Sequence, residues 1–273
     1  MIVHGASRDS LAAARERLDT LTQDAGVDVV ALGEDLFSVV RLLDREVSLR
    51  RVLSAPAQPG EQKAALVHAL LDGRAGEAAI DLISGLVRSR WSQPRDLVDA
   101  VEVMAVQSEV VAAEREGQLD DLEDELFRFG RIVAGQPDLR AALSDPALPA
   151  ERKVELLGAL LGGKVTAVTE RLVTHLVAHP RGRTIERGLE EYARFAAERR
   201  ERLVALVKVA VPLTEVQKSR LQEVLRRLYG HEVHLNVELD PAVIGGISVR
   251  IGDEVIDGTI ASRLDGARRR LAG

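Results

Sequence analysis

The chain has 273 residues, 46% hydrophobic but only 3% aromatic, with no cysteine and a formal net charge of -6. That length allows two or three small domains, and the aliphatic composition describes packed helices, not an aromatic-lined ligand pocket. The acidic balance argues against generic nucleic-acid binding. Disulfides and thiolate metal sites are excluded, and no charge-free run exceeds nine residues, too short to span a bilayer.

The N-terminus, MIVHGASRDSLAAARERLD, lacks the basic start and apolar core of a signal peptide. Residues 7–22 predict a first helix, with Leu11, Ala14, Leu18 and Leu21 on one face. After Ala25-Gly26, Val29, Leu32, Leu36, Val40 and Leu43 mark a second. A short turn over Leu49–Leu53 ends at Ala55-Pro56. Pro59-Gly60 opens a helix that runs through Leu71 and is closed by Gly73. Ala78–Arg88 continues the pattern, and Pro94 starts a long segment toward Glu116.

The frame from Leu49 to Gly73 then returns at Leu139 to Gly163, at an offset of 90, with 14 of 25 positions identical. Leu-Arg-x-x-Leu-Ser-x-Pro-Ala-x-Pro-x-Glu-x-Lys is too specific for leucine-rich chance, so the helical region is an internal duplication. The expected division is a helical bundle over 1–110, a second over 111–203 and a small C-terminal domain over 204–273. The fold class is mainly α, two tandem bundles followed by an α+β domain. Residues 94–113 suit either bundle, or both.

Residues 114–125 hold seven acids and one Arg, the composition of a solvated helix start. The second copy continues through Leu172, Leu176 and Val177, breaks at His179-Pro180 and resumes over 184–202. Leu203–Val211 is rich in β-branched residues and predicts a strand stopped by Pro212. Thr214 to Gln217 fits a capping box, with Val216, Leu221, Val224, Leu225 and Leu228 as the buried face of the helix it opens. His231–Leu239 alternates, with Val233, Leu235, Val237 and Leu239 inward.

From Asp240 the sequence reads DPAVIGGISVRIGDEVIDGTIASRL. Ile247, Val249 and Ile251 alternate as in a half-buried strand, Gly252-Asp253 interrupts, and Val255-Ile256 resumes. Asp257 suits the cap of a closing helix whose seam is Ile260, Leu264, Ala267 and Leu271. Gly245-Gly246 supplies backbone freedom before the strand.

Chemical motifs are weak. Gly158 to Lys164 approaches a phosphate-binding loop, but Val165 stands where Ser or Thr would hold magnesium, and a helix C-cap explains the glycines. His175 and His179 share a helical side without a third ligand, and His231 and His234 fall on opposite strand faces. Arg268-Arg269-Arg270 suits the last turn of a helix. No catalytic, metal or cofactor residue is expected. Residue physics alone describes a helical interaction protein.

Gly245, Gly246, Gly252, Asp253, Ile256, Asp257 and Gly258, with Thr259 where Ser is usual, resemble the C-terminal signature of the ATP synthase delta subunit family. That family includes the mitochondrial oligomycin-sensitivity-conferring protein. The resemblance covers roughly 115–273 and reaches residues 1–110 only through the repeat. It implies a non-catalytic stator adaptor, peripheral at the cytoplasmic face of the cell membrane. The implied partners are the N-terminal helices of the alpha subunits, held by the helical bundle, and the end of the b subunit, held by the C-terminal domain. The expected binding mode is a helix in a groove, lined by Leu11, Leu18 and Leu21 in the first copy or by Leu172, Leu176 and Val177 in the second. The alternative is a helical scaffold or regulator outside that complex.

Overall fold

In the computed structural model, which describes residues 5–200, 203–229, 233–240, 243, 246–251 and 254–257, helices begin where capping chemistry starts them. Asp28 accepts from the N–H groups of Val30 and Ala31. Gln93 and Asp96 cap each other ahead of Pro94, as do Thr214 and Gln217 ahead of Glu215. The helices of the first region are α1 (Ala6–Gln23), α2 (Val29–Arg45), α3 (Val47–Ser54), α4 (Gly60–Leu71), α5 (Glu77–Arg88) and α6 (Pro94–Arg115). They are followed by α7 (Leu119–Gly135), α8 (Pro137–Ser144), α9 (Ala150–Leu161), α10 (Ala167–Ala178) and α11 (Ile185–Arg200).

The repeat is exact in the backbone: α7 to α10 begin and end 90 residues after α2 to α5. The turns repeat as well. Gly73 and Gly163 have φ of 66° and 67°, a conformation open to glycine at no steric cost. In both copies an acid of the second helix caps the start of the fifth: Asp35 accepts from the Gly76 N–H at 2.8 Å, and Glu125 from the Thr166 N–H at 3.0 Å. A carboxylate at that end also complements the helix dipole.

By the same offset α6 takes the place of α1 in the second copy while closing the first. Fifteen of its 22 residues are buried, and it packs on α1, α2, α3 and α5 as well as on α7 and α10. A helix buried on nearly all sides has no solvent face to separate two bundles. Residues 1–197 accordingly form one compact unit with a single continuous core. The division expected near residue 110 falls inside α6.

The second unit, residues 198–273, holds β1 (Leu203–Val209), α12 (Glu215–Tyr229), β2 (Val233–Leu239), β3 (Ile247–Ile251) and β4 (Glu254–Asp257). The strand order is β2-β1-β3-β4; β1 and β2 are parallel across α12, and the other pairs are antiparallel. Ala205, Val207, Val209, Val233, Leu235, Val249, Ile251 and Leu225 make its core. The expected apolar faces are wider than the buried ones. On α12 only Leu225 is buried and Leu221 packs beside it; Val216 and Val224 stand about 180° and about 100° around the helix from Leu225 and are exposed, as is Leu228 in the last turn. Leu239 is exposed at the end of its strand. The closing helix lies outside the described residues.

Candidate functional site

The groove candidates divide by burial. On α1, Leu18 is in the core, while Leu11 and Leu21 are only partly covered. Leu172, Leu176 and Val177 on α10 are sealed, and Gly188 of α11 crosses Leu176 so closely that a β-carbon there has no room. Thus Leu11 and Leu21 are at a surface, and Leu18 and the α10 residues are core. Helix α1 is held to α5 by Arg17, whose Nε donates to Asp81 at 2.9 Å.

Helix α10 packs on α7 and α9 of its own copy and on α6, and residues of the first copy meet it at its outer side chains. Phe37 of α2 stacks on His175 with ring centroids 3.7 Å apart. Glu109 of α6, its side chain 1% exposed, accepts from Arg171 Nη2 at 2.7 Å. Glu102 of α6 accepts from Arg181 at 2.6 Å and from Arg183; Arg181 also reaches Asp99 at 2.7 Å and Asp44 at 2.8 Å. Asp44 sits on α2, the other acids on α6 and the arginines between α10 and α11, so the cluster ties the two copies together.

The electrostatics follow from burial. Burial raises the pKa values of Asp99 and Glu109, with Arg181 and Arg171 offsetting only part of that shift. Burial pulls Arg181 down, but Glu102, Asp99 and Asp44 more than offset it, leaving its pKa raised. Burial, assisted by His179 and the cations Arg41, Arg183 and Arg181, lowers His175 to about 2, so it is a neutral ring. This network was missed in the sequence. Its signal was there: Glu102 and Glu109 interrupt an otherwise apolar stretch, and such acids require cationic partners once buried.

Other expected features fall as follows. Lys164 Nζ donates to the Leu160 carbonyl at 3.0 Å, and Gly162 and Gly163 end α9, so that glycine run is a helix C-cap. His175 and His179 have ring centroids 5.3 Å apart, and the described residues include no group of three metal-ligating side chains. Of the signature residues, Gly246 has φ 89° just before β3, which accounts for glycine there. Ile256 is partly exposed on β4, with Asp257 ending that strand. Gly245, Gly252, Asp253 and Gly258 lie outside the described residues, as do His231 and Arg268 to Arg270. No described helix is long and apolar enough to cross a membrane.

A family model described as ATP synthase delta (OSCP) subunit matches residues 106–271. The chain is 58% identical to "ATP synthase subunit delta" of Streptomyces griseus subsp. griseus, over 99% of this chain and 100% of that protein. It is 58% identical to the protein of that name from Streptomyces avermitilis, over 100% of both, and 51% identical to that from Thermobifida fusca, over 99% and 100%. The family model begins within α6, whereas these relatives align along their whole length. They therefore share the first copy.

Proposed function

The chain belongs to the ATP synthase delta (OSCP) subunit family, and from that premise we propose that its first copy grips the catalytic head and its C-terminal unit grips the stalk. It is a non-catalytic peripheral-stalk subunit, tying the alpha subunits to the b subunit so that rotor torque drives synthesis instead of spinning the head. Its place is peripheral, at the cytoplasmic face of the inner membrane.

The observation that carries the assignment of the grip is the unequal burial of the candidate leucines. A groove that receives an alpha-subunit helix needs aliphatic side chains open to it. Leu11 and Leu21 are partly open on α1, while Leu172, Leu176 and Val177 are buried, Leu176 directly beneath Gly188 of α11. The equivalents of the α10 residues in the first copy, Leu82, Leu86 and Val87 of α5, are buried as well, so among the candidates only α1 presents leucines to a partner.

The test is a titration of the full chain with a peptide of the alpha-subunit N-terminus. A Leu11→Asp, Leu21→Asp double variant that keeps its melting transition should bind at least about tenfold more weakly, equivalent to about 1.4 kcal/mol. Unchanged affinity would move the grip away from α1.

A further inference from the structure

Residues 175–183, which end α10 and lead into α11, combine a constrained backbone with a buried titratable ring. Among the described residues Arg181 is the one non-glycine with a positive φ, 51°. That region crowds the β-carbon, so it persists only where the surroundings hold it. The hold here is three acids on the helices of the first copy: Asp44 of α2, and Asp99 and Glu102 of α6.

At the other end of the segment His175 stacks on Phe37 and covers it: Phe37 is 5% exposed, where its repeat Phe127 is 63% exposed. The His175 Nε2 is buried without a hydrogen-bond partner, 3.9 Å from Glu102. Both Glu102 oxygens are already taken, one by Arg181 and one by Arg183. A proton on His175 would set a third cation against one carboxylate in a site closed to water. The charged and titratable groups around the segment are Arg41 and Asp44 on α2, Asp99 and Glu102 on α6, its own His179, Arg181 and Arg183, and Glu191 and Tyr192 on α11. Of the other helices on α10, α7 has Glu125 at the opposite end, capping Thr166, and α9 has the buried Lys153.

The first copy holds the same place by packing. Gly85, Ser89, Trp91 and Gln93 stand where the second copy has His175, His179, Arg181 and Arg183. Trp91 is buried, and its Nε1 donates to the Leu86 carbonyl at 2.8 Å.

We propose that residues 175–183 form an acid-released clasp between the two copies, closed at neutral pH and opening, with α6 still folded, as the medium acidifies. Opening gives His175 to water, where it ionises near its ordinary 6.5, whereas burial in the closed form holds it at about 2. Each pH unit below 6.5 therefore multiplies the open population by about ten. His179, lowered by burial, works in the same direction. Asp99 and Glu109, raised by burial, take up protons more readily in the closed form and oppose release. The clasp lies within the helical unit and does not depend on which partner that unit binds.

The test is hydrogen exchange of the full chain, read by mass spectrometry at pH 7.5 and 5.5 with exchange times scaled for the intrinsic rate. Protection of residues 175–183 should fall at least about tenfold between the two, while residues 85–93 and α6 keep theirs. A His175→Phe variant retains an aromatic ring on Phe37 and should lose most of that fall. The clasp is overturned by a fall shared with 85–93 and α6, by one of the same size in the variant, or by none. An Arg181→Gly variant adopts the left-handed conformation freely but lacks the contacts to the three acids. Its segment should exchange at least about tenfold faster already at pH 7.5; an unchanged rate overturns the ion cluster as the hold. Any of these failures leaves the stator reading intact.

Discussion

The two copies have the same helices to the residue and different surroundings. Helix α2 is buried on two faces, one toward its own bundle and one toward α10; its repeat α7 buries Leu122, Leu126, Phe129 and Val133 on one. The identity retained between copies includes the turns from α3 to α4 and from α8 to α9, at Pro56, Ala57 and Pro59 and their partners Pro146, Ala147 and Pro149. Proline there fixes backbone geometry that both bundles need. The residues that diverge are those whose neighbours differ. Duplication kept the turns and the core leucines of each bundle, such as Leu53 with Leu143 and Leu71 with Leu161, and changed residues on the outer face, such as Asp44 to Ala134.

The sharpest break of the comparison is to remove the first copy. A chain starting at residue 94 keeps α6 to α11, the set matched to a single family-type bundle, but strips α1, α2, α3 and α5 from a helix with 15 buried residues. It should aggregate and lack a cooperative melt; size-exclusion chromatography that returns a monodisperse, two-state monomer would show the second copy to be self-sufficient. Truncation within α6 therefore tests stability before it tests binding.

A subtler break uses the repeated phenylalanine. Phe37→Ala empties a packed site and should cost about 3–5 kcal/mol in denaturant unfolding. Phe127→Ala removes a largely exposed ring and should stay within about 0.5 kcal/mol. Equal losses would mean that the two copies are packed alike in solution, against the burial described.

The smallest effect concerns pH. His175 has its pKa depressed to about 2 from 6.5, so its contribution to stability is present above pH 6.5 and is lost as pH falls below it. Between pH 6.5 and 5, about 2 kcal/mol should disappear. Gly85 holds the equivalent place in the first copy, so no such term arises there. A His175→Phe variant should flatten this part of the stability profile; an undiminished slope would assign it to other groups.

Much of this was legible in the chain. Signals at Pro94 and Thr214 and glycines at 73 and 163 act within a few residues of themselves, so they fixed helix ends without knowledge of the fold. The offset of 90 disclosed the duplication for the same reason. The stretch 240–264 pointed to the family through its order of turns and strands. Legibility failed at Leu172, Leu176 and Val177: apolar periodicity marks a face that leaves water but does not say whether its own chain or a partner covers it.

Sequence by itself determined the helices, the repeat, the strand pattern of the C-terminal unit and the family. Only tertiary structure decided that α6 belongs to both copies, that Glu102, Arg181 and Arg183 meet, and that Phe37 is covered while Phe127 is open. The reason is physical. Caps, turns and periodicity are interactions over a few residues, whereas the fate of a second helix face depends on contacts between residues more than 70 apart, such as Arg183 with Glu102.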